Sequence, residues 1–188
     1  MKRPLLIAGA ASVLAAVPLA AAPALARDPG PAIPQAAHQG RDGREARQSV
    51  RGTAGYVSPP ESGYPGDRIQ FRFDARNVFK PDGVKSSGTF RVWHFTKDGR
   101  TGAEFTGRVT CLLASGDHAT VTGKITRAVV GTVPKDPRVA FTVVGNGSAN
   151  RIGYAGGQWG WPDVADCLGP VPFAPIGFGR FAVDPAGM

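Results

Sequence analysis

The sequence predicts an all-β domain: a single antiparallel β-barrel or β-sandwich of about six to eight strands, held by one disulfide. Three observations carry this. From Thr53 onward, apolar and polar residues alternate with period two in runs separated by turn-forming residues. The 26 glycines and 17 prolines of the 188-residue chain leave little room for long helices. Cys111 and Cys167 both lie beyond the start of the chain, which reads as an export leader, and an oxidising compartment makes their pairing the default.

Residues 1–26 form that leader. Lys2 and Arg3 supply a positive start, Leu5 to Ala22 an apolar stretch, and Ala24-Leu25-Ala26 a small-x-small cleavage sequence. A membrane anchor fits less well, because the stretch is alanine-rich, contains Pro18 and ends in that cleavage sequence. The expected product is a protein with no transmembrane segment once the leader is removed, either extracellular or associated with the cell wall. Residues 27–52 hold three prolines and four glycines, with Ile33 and Val50 as the only aliphatic residues beyond alanine. This composition predicts a flexible arm, since so little apolar surface does not offset the entropy of ordering the backbone. The domain proper is then 53–188.

Within it, 55–57 reads as a short first strand, followed by a loop with Pro59, Pro60 and Pro65. Residues 67–79 place Ile69, Phe71, Phe73 and Ala75 on one face and Arg68, Gln70, Arg72 and Asp74 on the other. Lys80-Pro81-Asp82-Gly83 is a turn, Pro81 presetting its φ and Gly83 accepting a positive one. Residues 88–96 make the next strand, and Lys97-Asp98-Gly99 the next turn. In 103–115 the alternation puts Phe105, Val109, Cys111 and Leu113 on one face; after Gly116-Asp117-His118, residues 119–130 answer with Val121, Ile125 and Val129, giving a hairpin. Residues 138–144 and 176–183 read as two further strands, while 154–175 resists assignment. Glycines inside the strands, at 107, 123, 177 and 179, favour the barrel slightly, because they sit where strands bend.

The formal net charge is +8, part of it in the leader and arm. Such a charge favours anionic wall polymers or nucleic acid by long-range attraction. Nucleic acid is not expected as a partner, because the lysines and arginines are scattered along the chain. No cofactor is expected: no phosphate-cradling glycine motif, no calcium loop and no histidine pair at metal spacing occurs. Cys111 and Cys167 are 56 positions apart with no histidine beside them, a poor metal site. No nucleophile elbow nominates a serine for triad hydrolysis.

Two features remain as candidate ligand-binding residues. His94 shares a strand face with Phe90 and Val92, so it is either a core histidine with its hydrogen bonds met or part of a cavity wall. The stretch Tyr154 to Pro162 gathers Tyr154, Gln158, Trp159 and Trp161 among glycines. Those aromatic faces either stack on a sugar or other flat ligand, or plug one end of the sheet and cover the disulfide.

Several phrases of the chain resemble a group of small, secreted, uncharacterised β-domain proteins of actinobacteria. They are Phe71-Arg72-Phe73-Asp74-Ala75-Arg76, Gly88-Thr89-Phe90, Gly107-Arg108-Val109-Thr110-Cys111-Leu112 and Ala119-Thr120-Val121-Thr122-Gly123. The likeness runs over roughly 53–183. It implies export and an all-β fold, and it assigns no catalytic residue. Gly145-Asn146-Gly147 and the segment around Trp159 depart from the group's pattern. The leading functional expectation is a secreted, non-catalytic domain that binds an extracellular polymer, a small ligand or a protein. One alternative is an isomerase-like or cyclase-like enzyme using His94 and a carboxylate in the barrel interior. Another is an exported protease inhibitor that displays 56–65.

Overall fold

The computed structural model describes residues 46–146, 150–160 and 164–185. The chain divides into two units, 1–38 and 39–188, and every described residue belongs to the second. The leader and most of the predicted arm lie outside the described residues.

Nine strands make one antiparallel sheet: β1 (Arg47–Val57), β2 (Arg68–Lys80), β3 (Gly83–Phe95), β4 (Thr101–Ser115), β5 (His118–Val130), β6 (Arg138–Val144), β7 (Arg151–Gly156), β8 (Ala174–Pro175) and β9 (Phe178–Asp184). The only helical element among the described residues is a 3-10 turn, Gly157–Trp159, and no described helix is long and apolar enough to cross a membrane. The spatial order is β8-β7-β6-β5-β4-β3-β2-β1-β9. The sheet curls into a half-barrel, so a two-sheet sandwich is excluded. Residues 174–184 form the last pass: β8 pairs with β7 and, two residues on, β9 pairs with β1. The Ile176 N–H donates to the Asn150 carbonyl at 3.0 Å and the Gly177 N–H to the Gly55 carbonyl at 2.8 Å, so this link touches both flanks.

The strand count exceeds the expected six to eight because of β7, which runs from Arg151 into the segment that resisted assignment, and β8, which lies at that segment's end. The arm also ends earlier than expected. Residues 47–52 are strand, with Val50 fully buried opposite Ala75 of β2 and Val183 of β9. Pairing with β2, joined from Ser49 on by β9, satisfies this backbone, which Val50 as its one aliphatic residue does not suggest.

Turn chemistry sets the registers. Lys80 pairs with Gly83 across Pro81-Asp82, and Ser115 with His118 across Gly116-Asp117. Gly83 and Gly116 take φ of 129° and 58°, the positive values those turns need. Three bulges in the β4–β5 hairpin then overturn the simple alternation. Thr110 is extra on β4, and Thr126 and Val129 are extra on β5. Leu112 therefore faces the core at 0% exposure while Leu113 is 44% exposed, and Val129 faces outward at 43%.

Phe71, Phe73, Phe90, Phe141 and Phe181 fill the curl. Phe141 lies 5.1 Å from Phe73, 5.3 Å from Phe90 and 6.0 Å from Phe71, centroid to centroid. Phe90 lies over two glycines: a Cβ at Gly107 would come within 2.1 Å of its ring, and one at Gly123 within 2.8 Å. At one end, buried amides replace ladder bonds beyond the Thr89–Arg108 pair, where β3–β4 pairing stops. Asn77 donates to the Leu112 carbonyl and to Gln48, both at 2.7 Å. Gln48 donates to the Ala114 carbonyl and accepts from its N–H, and Ser86 accepts from the Leu112 N–H.

Cys111 and Cys167 form the disulfide. It pins the segment after Val164 to the outer face of β4 and β5, where Asp166 accepts from Thr110 at 2.7 Å and Thr122 at 3.2 Å. The Cys167 N–H donates to the Thr122 hydroxyl.

Candidate functional site

At the end of the curl opposite the amide cluster, the core stops short and leaves a cavity of about 650 Å³. One wall is a single cross-strand row, Tyr56–Ile69–His94–Ala103, fixed by the registers of β1 to β4. Val92 and Phe105, themselves paired, stand one step deeper. Across the space are Tyr154 of β7, Trp159 of the 3-10 turn and Phe173 before β8, and the β1–β2 loop forms the rim.

Two polar pairs face this mainly apolar space. In the first, the hydroxyls of Tyr56 and Tyr154 are 2.5 Å apart. Tyr56 is buried, and that burial, followed by the bond to Tyr154, pushes its pKa well above the ordinary phenol value. Tyr56 thus keeps its proton at neutral pH, and the bridge between the two hydroxyls uses one hydroxyl proton. The other hydroxyl proton is available to a ligand oxygen.

In the second pair, His94 Nε2 lies 2.6 Å from Asp67 Oδ2. The other oxygen of Asp67 accepts from the Lys97 N–H at 2.8 Å, so the carboxylate is fixed at both ends. A carboxylate accepts, so Nε2 is the nitrogen that carries the proton toward Asp67, and in the neutral form of the ring Nδ1 presents a lone pair. In that form the ring can accept a hydrogen bond from a hydroxyl or take a proton from a molecule placed beside it. Asp67 also closes the rim loop: its carbonyl accepts from the Ser58 N–H at 2.7 Å, and its N–H donates to the Tyr64 carbonyl at 3.1 Å. Tyr64 then meets His94 edge-on at 5.2 Å. Among the described residues no group of three His, Cys, Asp or Glu side chains could hold a metal ion.

Of the residues singled out from the sequence, Tyr154, Trp159 and His94 line this one cavity. Trp159 lies 4.7 Å from Tyr154 and 6.0 Å edge-on to Phe141, whereas the disulfide sits on the outer face, so Trp159 covers the core and not the cystine. Trp161 and the side chain of Gln158 lie outside the described residues. The segment 56–65 is the cavity rim, with Tyr56 turned inward. Sequence reasoning missed Tyr56 and Asp67 as site residues. The signal that finds them is the register: the turn at Pro81-Asp82 pairs Ile69 with His94, which brings Asp67 to the same strand ends.

The chain matches no family model, no curated protein and no solved structure.

Proposed function

We propose that the protein is a secreted binding domain whose cavity takes a small, mainly apolar molecule carrying one oxygen function. The observation that carries this reading is the cavity itself: about 650 Å³, walled by aromatic and aliphatic side chains, with two fixed polar pairs. Pockets for small molecules have this size and this mixture. The Tyr56–Tyr154 pair offers a proton to a carbonyl or carboxylate, and His94 offers a lone pair to a hydroxyl. Export rests on the leader sequence, the resemblance to secreted actinobacterial β-domains and a disulfide compatible with an oxidising compartment.

The test is tryptophan fluorescence with medium-chain ketones, alcohols and carboxylic acids, the parent alkanes serving as controls. Trp159 in the wall should report saturable binding of at least one oxygenated compound, weaker for its alkane and lost on Trp159→Leu. Failure of every compound to give saturable binding refutes the reading.

The fixed Asp67–His94 pair favours a second reading, in which the bound molecule is a substrate and His94 moves a proton on it. Under this reading the alternatives are told apart with any compound found to bind. Deuterium exchange at an acidic C–H of the bound compound, lost in His94→Gln while binding persists, marks catalysis.

A further inference from the structure

The cations that look scattered along the chain are gathered by the sheet. On the outer face, the strand registers line up two adjacent rows that run across the strands. The first is Arg180–Thr53–Arg72–Arg91–Thr106–Arg127, spanning β9, β1, β2, β3, β4 and β5. The second is Arg51–Asp74–Thr89–Arg108–Lys124–Arg138, spanning β1 to β6. Eight cations thus stand in two rows that contain one acid, Asp74, which pairs with Arg51 at 3.4 Å. Two acids from beside the rows also take part, Glu104 holding Arg91 and Asp136 holding Arg138. Arg72, Arg108, Arg127 and Arg180 meet no acid at ion-pair distance among the described residues. Arg72 with Arg91, Arg108 with Lys124, and Lys124 with Arg138 are direct cross-strand neighbours, an arrangement that costs stability until an opposite charge lies over it. Between the rows, Arg72, Arg91, Arg108 and three threonines, together with Asp74 and Phe90, line a shallow cleft of about 390 Å³.

We propose that this belt binds a linear phosphate-bearing polymer laid across the strands, at a site separate from the cavity. Six strands at about 4.8 Å spacing give a track of about 24 Å, the length of a chain segment and not of a single ion. Guanidinium forks match phosphate oxygens, and the threonine hydroxyls between them add donors. The two rows contain no aromatic side chain, Phe90 beneath the cleft is buried, and Trp93 beside the rows has the Arg91 guanidinium over its ring at 4.5 Å. This leaves no run of open rings for successive bases, so the occupant is a polymer without bases.

The experiment titrates the full domain with long-chain inorganic polyphosphate, with inorganic phosphate, polyglutamate and poly(dT) in parallel arms, over a series of salt concentrations. Polyphosphate should bind with a steep salt dependence and inorganic phosphate should not saturate. The double substitution Arg72→Ser/Arg108→Ser should weaken polyphosphate binding at least tenfold and lower the salt slope by about 1 for each arginine. A control with the same charge change off the belt, Lys85→Ser/Arg100→Ser, should stay within twofold, and thermal melts confirm that both variants fold. Equal losses in the two variants, absence of polyphosphate binding at low salt, or tighter binding of polyglutamate or poly(dT) would overturn the proposal.

Discussion

Replacing Tyr56 by phenylalanine removes a buried hydroxyl that is 2.5 Å from the Tyr154 hydroxyl, and two consequences follow from its position. The first is coupling. Tyr154→Phe leaves the Tyr56 hydroxyl without its partner in a buried site, at a cost of about 1–3 kcal/mol. Tyr56→Phe leaves the half-buried Tyr154 hydroxyl, which water can reach, and costs less, about 0.5–1.5 kcal/mol. The double variant orphans nothing, so its cost should fall short of the sum by about 1 kcal/mol. The second consequence is in the pH dependence. Burial first, and then the bond to Tyr154, raises the Tyr56 pKa above its unfolded value. Above the unfolded value near 10, the unfolded chain releases this proton while the folded chain keeps it, so the folded state binds more protons and stability falls as pH rises. The wild type should therefore lose stability relative to Tyr56→Phe by up to about 1.4 kcal/mol per pH unit above that point, and the two should run parallel below it. Urea unfolding of the four cycle members at neutral pH, with the wild type and Tyr56→Phe repeated up to alkaline pH, measures both. Additivity within about 0.5 kcal/mol, together with parallel alkaline profiles, would refute the buried pair.

Further outcomes come from the core and the crosslink. Gly107→Ala drives a methyl into the Phe90 ring and the Lys124 carbonyl; it should cost about 1–3 kcal/mol in urea unfolding, and a neutral result would show that Phe90 does not lie on this glycine. Asn77→Ala strips a donor from both the Leu112 carbonyl and Gln48 at a fully buried position; a loss of about 2–4 kcal/mol is expected by the same assay, and under 0.5 kcal/mol would contradict the amide cluster. Cys111→Ala/Cys167→Ala opens a loop of 56 residues; scanning calorimetry should record a loss approaching about 4 kcal/mol, and an unchanged melting temperature would contradict a stabilising crosslink.

Much of the fold is legible because the turns are local. Pro81 and Gly83 fix the β2–β3 register, and Gly116 fixes that of β4–β5. The bulges are not legible, because Leu112-Leu113 and Val129-Val130 are apolar on both sides of the alternation, so either phase fits the pattern and only the three-dimensional pairing selects one. The onset of β1 stays hidden for a related reason: Val50 is buried by partners from β2 and from β9, which lies more than a hundred residues later in the chain. The candidate site is half legible. His94 and the aromatic cluster stand out by composition, whereas Tyr56 and Asp67 acquire meaning only when hairpin registers place them beside Tyr154 and His94. The basic belt is invisible along the chain, since its members come from seven strands and only cross-strand pairing aligns them.

The claim that the cavity is a binding site is tested most directly by filling it. Ala103 lies in the cavity wall as the cross-strand neighbour of His94, and Ala103→Trp should occupy the space a ligand would fill. Thermal shift of the wild type and this variant, with saturating medium-chain ketones, alcohols and acids, is the measurement. Stabilisation of the wild type by an oxygenated compound, abolished in Ala103→Trp, is the predicted result. Equal stabilisation of both proteins, or of neither, would contradict it.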